Sequence, residues 1–187
     1  QEGNLDMKRK ILALMLVILF ASGAWGAYYD EGNDGDSWET AYLIKSVEDL
    51  ELMSYRVTVD GSPIGNGPLG SDPKGKYYKL ASDINLDADM GWSGVGGPEG
   101  FSGHFDGQNH TIKINATISN PLFLTIKTGS YSNEIAVRNL NIEGNIATSS
   151  GSLIHTLSSG VIENCSFNGT LEGPFTGGLV YIQQAER

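Results

Sequence analysis

The chain has 187 residues, with 22 acidic against 12 basic side chains and a formal net charge of −10. This acidity repels phosphate backbones and gives no attraction to anionic membrane surfaces, so nucleic acids and lipid headgroups are excluded as leading partners. The only cysteine is Cys165, which excludes an intrachain disulfide and therefore the class of small disulfide scaffolds. The length is enough for one domain with a substantial core.

The N-terminal region has the pattern of an export signal. A basic cluster at Lys8–Lys10 precedes an unbroken apolar run, Ile11–Phe20, and Ala24–Gly26 offers the small-x-small pattern of a cleavage site. The apolar run is too short to cross a bilayer, which takes roughly 20 residues. We therefore predict extra upstream sequence at residues 1–6, a signal peptide at residues 7–26, and no transmembrane span after its removal.

The predicted mature chain starts with an acidic lead-in at residues 27–40. Its acids lack the spacing of an EF-hand loop, so no metal site is predicted there. A short strand is predicted at Ala41–Lys45. One helix is predicted at Val47–Arg56, because apolar residues recur at helical spacing and because Ser46 and Asp49 resemble a capping box with Asp in place of Glu.

Strand patterns dominate the remainder. Tyr77–Leu80 and Ile84–Leu86 are predicted strands, and Met90–Gly100 is a Gly-rich loop that carries Trp92. Phe101–Ile118 alternates apolar and polar residues on either side of a predicted tight turn at Asp106-Gly107. We predict residues 41–187 to be one mainly β domain.

A repeat is the most informative feature. Residues 137–146 match residues 162–171 in their apolar, Asn and Gly positions at one constant offset. The matching residues are Asn139, Leu140, Ile142, Gly144 and Ile146 in the first copy, and Asn164, Cys165, Phe167, Gly169 and Leu171 in the second. A further apolar pair recurs as Leu122-Phe123, Leu153-Ile154 and Leu179-Val180. A short period without helical patterning predicts a solenoid of stacked strands, that is, a parallel β-helix.

The parity of the repeat predicts where the chain bends. Asn139 and Asn164 stand where the alternation breaks, and Asn tolerates the left-handed conformation that a sharp corner needs. Amides stacked from one coil to the next can also hydrogen-bond along the stack. Gly144 and Gly169 mark a second crowded point, and Cys165 is predicted to face the core rather than to act as a nucleophile.

The repeat region resembles a known motif. The segment Gly160–Val180 resembles the GLUG motif of bacterial secreted and cell-surface proteins. Three upstream segments, Ala41–Ser54, Tyr77–Leu86 and Phe101–Ile112, resemble the N-terminal region of the same group in the same order. The resemblance covers most of the predicted mature chain, but Tyr181 replaces the Gly expected after the motif.

This resemblance implies a right-handed parallel β-helix of the pectin-lyase-like type. Proteins of the group are typically large and exported, many are adhesin-like, and the motif also accompanies immunoglobulin A peptidases. Because the pattern stops in mid-coil at Arg187, we interpret the chain as the N-terminal part of a longer protein, truncated at its C-terminus.

No motif of a hydrolytic enzyme is complete in the sequence. A zinc peptidase would need HExxH on a helix, and His104, His110 and His155 are scattered over predicted strands and turns. No GxSxG elbow occurs.

A polysaccharide lyase or hydrolase would need acids that converge on one face. Asp83, Asp87 and Asp89 are the weak candidates for such an acidic site, and solvated loop acids are the alternative interpretation. Asp106 is interpreted as turn chemistry and His110 as a strand-edge residue.

The sequence favours a non-catalytic exported or cell-surface protein, adhesin-like, glycan-binding or acting as a spacer. Its partners would be host or environmental glycans or surface proteins, and no cofactor is predicted. The alternatives that stay open are a carbohydrate-active β-helix enzyme and an accessory module of a downstream peptidase. The ligand, the anchoring mode and the oligomeric state are not determined by the sequence.

Overall fold

The structure is a computed structural model. It describes residues 33–59, 75–86, 92, 94–96, 100–118, 120–128, 134–147, 152–173 and 177–183. The predicted signal peptide, most of the loop at 90–100, and Asp87 and Asp89 lie outside these residues.

The helix, α1 (Val47–Val59), is the only one in the described residues and extends beyond the predicted end at Arg56. Its N-terminus carries the predicted capping box. The backbone N–H of Asp49 donates to Ser46 Oγ at 3.3 Å, and the N–H of Ser46 donates to Asp49 Oδ2 at 3.1 Å. These bonds satisfy donors that the first turn leaves without partners, which explains why the helix starts here.

All the remaining regular structure in the described residues is β. The strands are β1 (Tyr42–Ile44), β2 (Tyr77–Leu80), β3 (Ile84–Leu86), β4 (His104–Asp106), β5 (Thr111–Ile118), β6 (Phe123–Lys127), β7 (Ile135–Arg138), β8 (Asn141–Ala147), β9 (Ile154–Ser159), β10 (Val161–Glu163), β11 (Ser166–Glu172) and β12 (Val180–Gln183). Short strands rich in β-branched residues, separated by Gly and Asn, are the reason that strand pairing prevails over helix.

The strands form three sheets. Sheet A has the order β1-β2-β4-β7-β10, sheet B has the order β11-β8-β5-β3, and sheet C has the order β12-β9-β6. Every pairing among these strands is parallel. The described part of the chain is therefore mainly β, with parallel sheets and one short helix.

The chain visits the sheets in a fixed order. From β4 onward it passes from sheet A to sheet B to sheet C, and it does so three times in succession. The preceding passage follows the same order, because β2 and β3 are followed by isolated parallel bridges from Val95 to Phe123 and from Phe101 to Ile126. Val95 therefore occupies the sheet C position of this passage, in a region predicted to be only a loop.

The core lies between the three sheets and consists of their inward-facing apolar residues. Phe105 and Val137 of sheet A, Ile112 and Ile142 of sheet B, and Ile154 of sheet C are all buried almost completely. Burial of each large apolar side chain is worth about 1.5–3 kcal/mol. Residues that lie opposite each other on adjacent parallel strands point to the same side of the sheet. Each row of inward-facing residues therefore adds one layer to a continuous core.

Candidate functional site

The two copies of the repeat lie side by side. Strand β11 pairs with β8 in parallel, with Phe167 opposite Ile142, Gly169 opposite Gly144 and Leu171 opposite Ile146. The register is constant over the whole strand and equals the offset between the copies in the sequence. The shared pattern therefore corresponds to equivalent positions in adjacent, stacked strands.

The two asparagines occupy equivalent corners between sheets A and B. Asn139 has φ of 51° and Asn164 has φ of 50°, both left-handed. Asn164 Nδ2 donates to Asn139 Oδ1 at 3.2 Å, and Asn139 Nδ2 donates to Asp106 Oδ1 at 3.1 Å. These three residues, Asp106, Asn139 and Asn164, form what we call the corner ladder. It links three successive passages of the chain through side-chain hydrogen bonds.

The paired glycines occupy a point too crowded for a side chain. A Cβ added to Gly169 would overlap the carbonyl oxygen of Gly144, and a Cβ added to Gly144 would overlap the carbonyl oxygen of Ile114. Gly144 also has φ of 130°, a conformation that L side chains rarely adopt. The glycines are therefore needed for close approach of adjacent backbones.

Cys165 lies next to Leu140 in the stack but is less buried. Leu140 is fully buried, whereas Cys165 is half-buried and packs against the edge of the core. Burial raises the pKa of the Cys165 thiol, and the nearby carboxylates of Glu163 and Asp106 raise it further. A thiol held protonated is a weak nucleophile, so the arrangement favours packing over chemistry.

Asp106 begins the turn, as predicted, because its Oδ1 accepts a hydrogen bond from the Gln108 N–H at 2.9 Å, but Asp106-Gly107 does not itself form the tight reversal. Positive φ values fall on Gln108 and Asn109 instead, and the strands before and after, β4 and β5, enter different sheets rather than pairing as a hairpin. Asp106 is fully buried, and its Oδ2 accepts a hydrogen bond from Arg138 Nε at 2.7 Å. This ion pair was not predicted from the sequence, because Arg138 lies on a different strand, far along the chain.

The Asp106 carboxylate is held ionised. Burial alone would raise its pKa, but hydrogen bonds from the Gln108 N–H, from Arg138 and from Asn139 outweigh burial and lower the pKa below its ordinary value. A carboxyl group with a lowered pKa is a poor general acid at neutral pH. Asp106 therefore stabilises the corner ladder electrostatically.

An aromatic cluster covers the outer face of sheet A. Tyr77 and His104 stack with ring centroids 4.3 Å apart, and Trp38 contacts Tyr77 edge-on at 4.8 Å. The Arg138 guanidinium lies over the Trp38 ring, 4.1 Å from its centroid, between that ring and Asp106. A cation over an indole is attracted by the ring quadrupole. Sequence reasoning missed this cluster.

The predicted lead-in is thus docked in part. Its acidic residues Asp34, Asp36 and Glu39 are exposed, as predicted, whereas Gly35 is buried and Trp38 is half-buried. The carbonyl of Gly35 accepts from the N–H of Tyr77 at 2.9 Å, and Lys76 forms an ion pair with Asp36.

A row of alternating charges crosses the outer face of sheet A. Lys79 lies opposite Asp106, Asp106 opposite Arg138, and Arg138 opposite Glu163. We call this row, Lys79, Asp106, Arg138 and Glu163, the charge row. Within the row, Asp106 and Arg138 form an ion pair, with Oδ2 and Nε 2.7 Å apart. Opposite charges on adjacent strands stabilise pairing, whereas like charges oppose it.

Polar rungs also connect the outer face of sheet B. Ser166 Oγ donates to Asn141 Oδ1 at 2.8 Å, and Thr170 Oγ1 donates to Asn145 Oδ1 at 2.5 Å. The outward polar side chains of adjacent strands thus bond to one another. This surface is suited to support stacking rather than to bind a reacting group.

The acidic-site candidates are only partly described. Asp83 pairs with His110 at 3.2 Å and accepts from the Thr111 N–H at 2.9 Å, and its side chain is 62% exposed. The Thr111 and His110 hydrogen bonds lower its pKa, which disfavours a general-acid role. Asp87 and Asp89, the other two candidates, lie outside the described residues.

The described ranges contain no group of three or more His, Cys, Asp or Glu side chains placed to hold a metal ion. Nor does any helix within them have the length and apolarity of a membrane span. No protein-family model, curated protein or solved structure matches the chain.

Proposed function

We propose that this chain is a right-handed parallel β-helix domain. The supporting observation is that the strands enter three parallel sheets in one repeating order, with an unbroken register between β8 and β11. Parallel crossover connections are right-handed in about 98% of cases, because of the twist of the strands. The interpretation agrees with the GLUG-like segment at Gly160–Val180.

The proposed function is that of a non-catalytic, exported or cell-surface scaffold, which positions its loops for adhesion to glycans or surface proteins. One observation carries this proposal: outward polar side chains bond to equivalent positions in the next passage of the chain, as in the pairs Asn139–Asn164 and Asn141–Ser166. Residues engaged in this way hold adjacent strands in register. Export is supported by the signal-like pattern of residues 7–26.

Two measurements test this function. Surface labelling of intact cells should reach the chain, and deletion of residues 7–26 should abolish that labelling. The purified exported chain should then bind members of a glycan array or intact host cells, without consuming the ligand. Retention in the cytoplasm, or failure to bind across broad panels, would contradict the adhesive role.

The second candidate function is carbohydrate cleavage, which is favoured only by the contact between Asp83 and His110. Release of reducing ends from neutral and anionic polysaccharides would support it, provided that Asp83→Asn abolishes the release. Glu143→Gln is a matched control, because Glu143 is an exposed acid on the same sheet that faces Lys113 at 4.0 Å. The scaffold proposal predicts no release by any of these proteins.

A further inference from the structure

The two ends of the stack differ in how they are covered. At the N-terminal end, α1 contacts β1 and β3 and buries Leu50 and Met53 against the core. The inward residues of these first strands, among them Ile44 and Leu86, are completely buried. The helix therefore acts as a cap on this end.

The opposite end, formed by β10, β11 and β12, has no such cover in the described part of the chain. We call it the open end. Each of these strands lies at the edge of its sheet. The inward residues Ile162, Phe167 and Leu171 are only partly buried, although their counterparts one strand earlier are completely buried. Tyr181 and Ile182 are 36% and 38% exposed. An edge strand presents backbone groups ready to pair with another strand.

We infer that the open end is a docking surface for one further repeat unit, added in parallel to β10, β11 and β12. This inference rests on the stacking proposed above but not on export or glycan binding. Its occupant is a polypeptide segment with the repeat pattern of this chain.

The charge row specifies one residue of that segment. The row ends at Glu163, an exposed acid whose described neighbour in the sheet is Arg138. Since the charges alternate along the row, the position opposite Glu163 in an added strand calls for Lys or Arg. A carboxylate there would face Glu163 directly and oppose pairing.

The corner ladder specifies the next residue. Asn164 donates its amide to Asn139, so a residue stacked on the outer side of Asn164 continues the ladder if it is Asn or Asp. The half-buried Cys165, Phe167 and Leu171 then require apolar residues at the positions that follow. The occupant is therefore recognised by a basic residue, an Asn or Asp, and alternating apolar residues, in that order.

A second copy of the chain fits this surface less well. Head-to-tail stacking would require an uncovered first strand, but α1 contacts that end of the stack. Tail-to-tail contact would pair the strands of the open end antiparallel, whereas every strand pairing described in the protein is parallel. Self-association through the open end is accordingly a result that counts against the inference.

The test appends a copy of Glu134–Ser159 directly after Arg187, and follows thermal unfolding by circular dichroism. In the extended chain, more residues separate Glu163 from the copied arginine than separate Arg138 from Glu163, and fewer than separate Asp106 from Arg138. Both of those separations connect neighbours in the charge row, so the copied arginine can also reach it. We expect the melting temperature to rise by about 5 °C, since burying the open end adds apolar contacts to a chain of this size.

The control separates this recognition from unspecific apolar burial. Arg138→Glu made only in the appended copy should remove at least half of the rise in melting temperature. Adding Glu163→Lys in the original part of the chain should restore the rise. Each rise is measured against the same chain without the extension. Glu163 is exposed, so its substitution should not prevent folding. No rise, a rise independent of these charges, or a parent chain that dimerises through the open end would overturn the inference.

Discussion

Replacing Asp106 with Ala should strongly destabilise the fold, although Asp106 does not belong to the apolar core. The change removes acceptors for Arg138 Nε at 2.7 Å, the Gln108 N–H at 2.9 Å and Asn139 Nδ2 at 3.1 Å. Breaking a buried ion pair costs about 3–5 kcal/mol, because the remaining charge is left unpaired. Arg138 keeps 24% of its side chain exposed and retains contact with Trp38, so we expect a loss of about 3 kcal/mol, at the lower end of that range.

Urea unfolding at pH 7, followed by circular dichroism, measures this loss as a lower midpoint at an unchanged slope. The matched control is Asp83→Ala, which also removes an aspartate that accepts a backbone N–H and contacts a basic side chain, the imidazole of His110, but at an exposed site. Surface pairs contribute little, so the control should unfold close to the parent. If the two variants lose equal stability, Asp106 is not the buried electrostatic centre described above.

Two further predictions concern the glycine stack and the helix. Gly169→Ala should lower the free energy of unfolding in urea by more than about 2 kcal/mol, because its Cβ would overlap the Gly144 carbonyl. The control Gly178→Ala, with no atom within 4 Å of an added Cβ, should be nearly neutral. Equal effects would contradict the stacking. Burial, and then repulsion by Glu48, raise the pKa of Glu51 to about 7. The free energy of unfolding therefore falls as the pH rises from about 4.5 to about 7, because Glu51 must then carry a charge in the folded protein. Glu51→Gln should therefore gain on the order of 1 kcal/mol over the parent at pH 8, after solvent screening, and little at pH 4; a pH-independent gain would refute this cause.

Local chemistry explains which features could be predicted from the sequence. The capping box of Ser46 and Asp49 uses contacts within one helical turn, so its pattern is visible in a short window. Asn139 and Asn164 could be assigned to corners because the alternation breaks at both and because Asn tolerates positive φ. Their offset in the sequence then predicted the register of β8 and β11.

Long-range contacts explain what the sequence did not reveal. Asp106 pairs with Arg138 across a chain separation that differs from the repeat offset, mainly because the connection from β6 to β7 is longer than the connection from β9 to β10. Trp38 contacts the same arginine from the far end of the described chain, and no local pattern indicates that contact. The outer face of sheet A therefore had to be observed rather than predicted.

The stacking of the repeat is tested most directly by paired spin labels on the outer face of sheet B, in a background with Cys165→Ala. Labels at Asn141 and Ser166, or at Asn145 and Thr170, occupy opposite positions on β8 and β11. Parallel pairing places each pair about 5 Å apart, so both should show strong spin–spin broadening, while the crossed pairs of the same sites are separated by about 14 Å and should show much less. Stronger broadening in the crossed pairs would mean antiparallel strands, and weak broadening in all four would mean that the copies are not neighbours; either result would contradict the account.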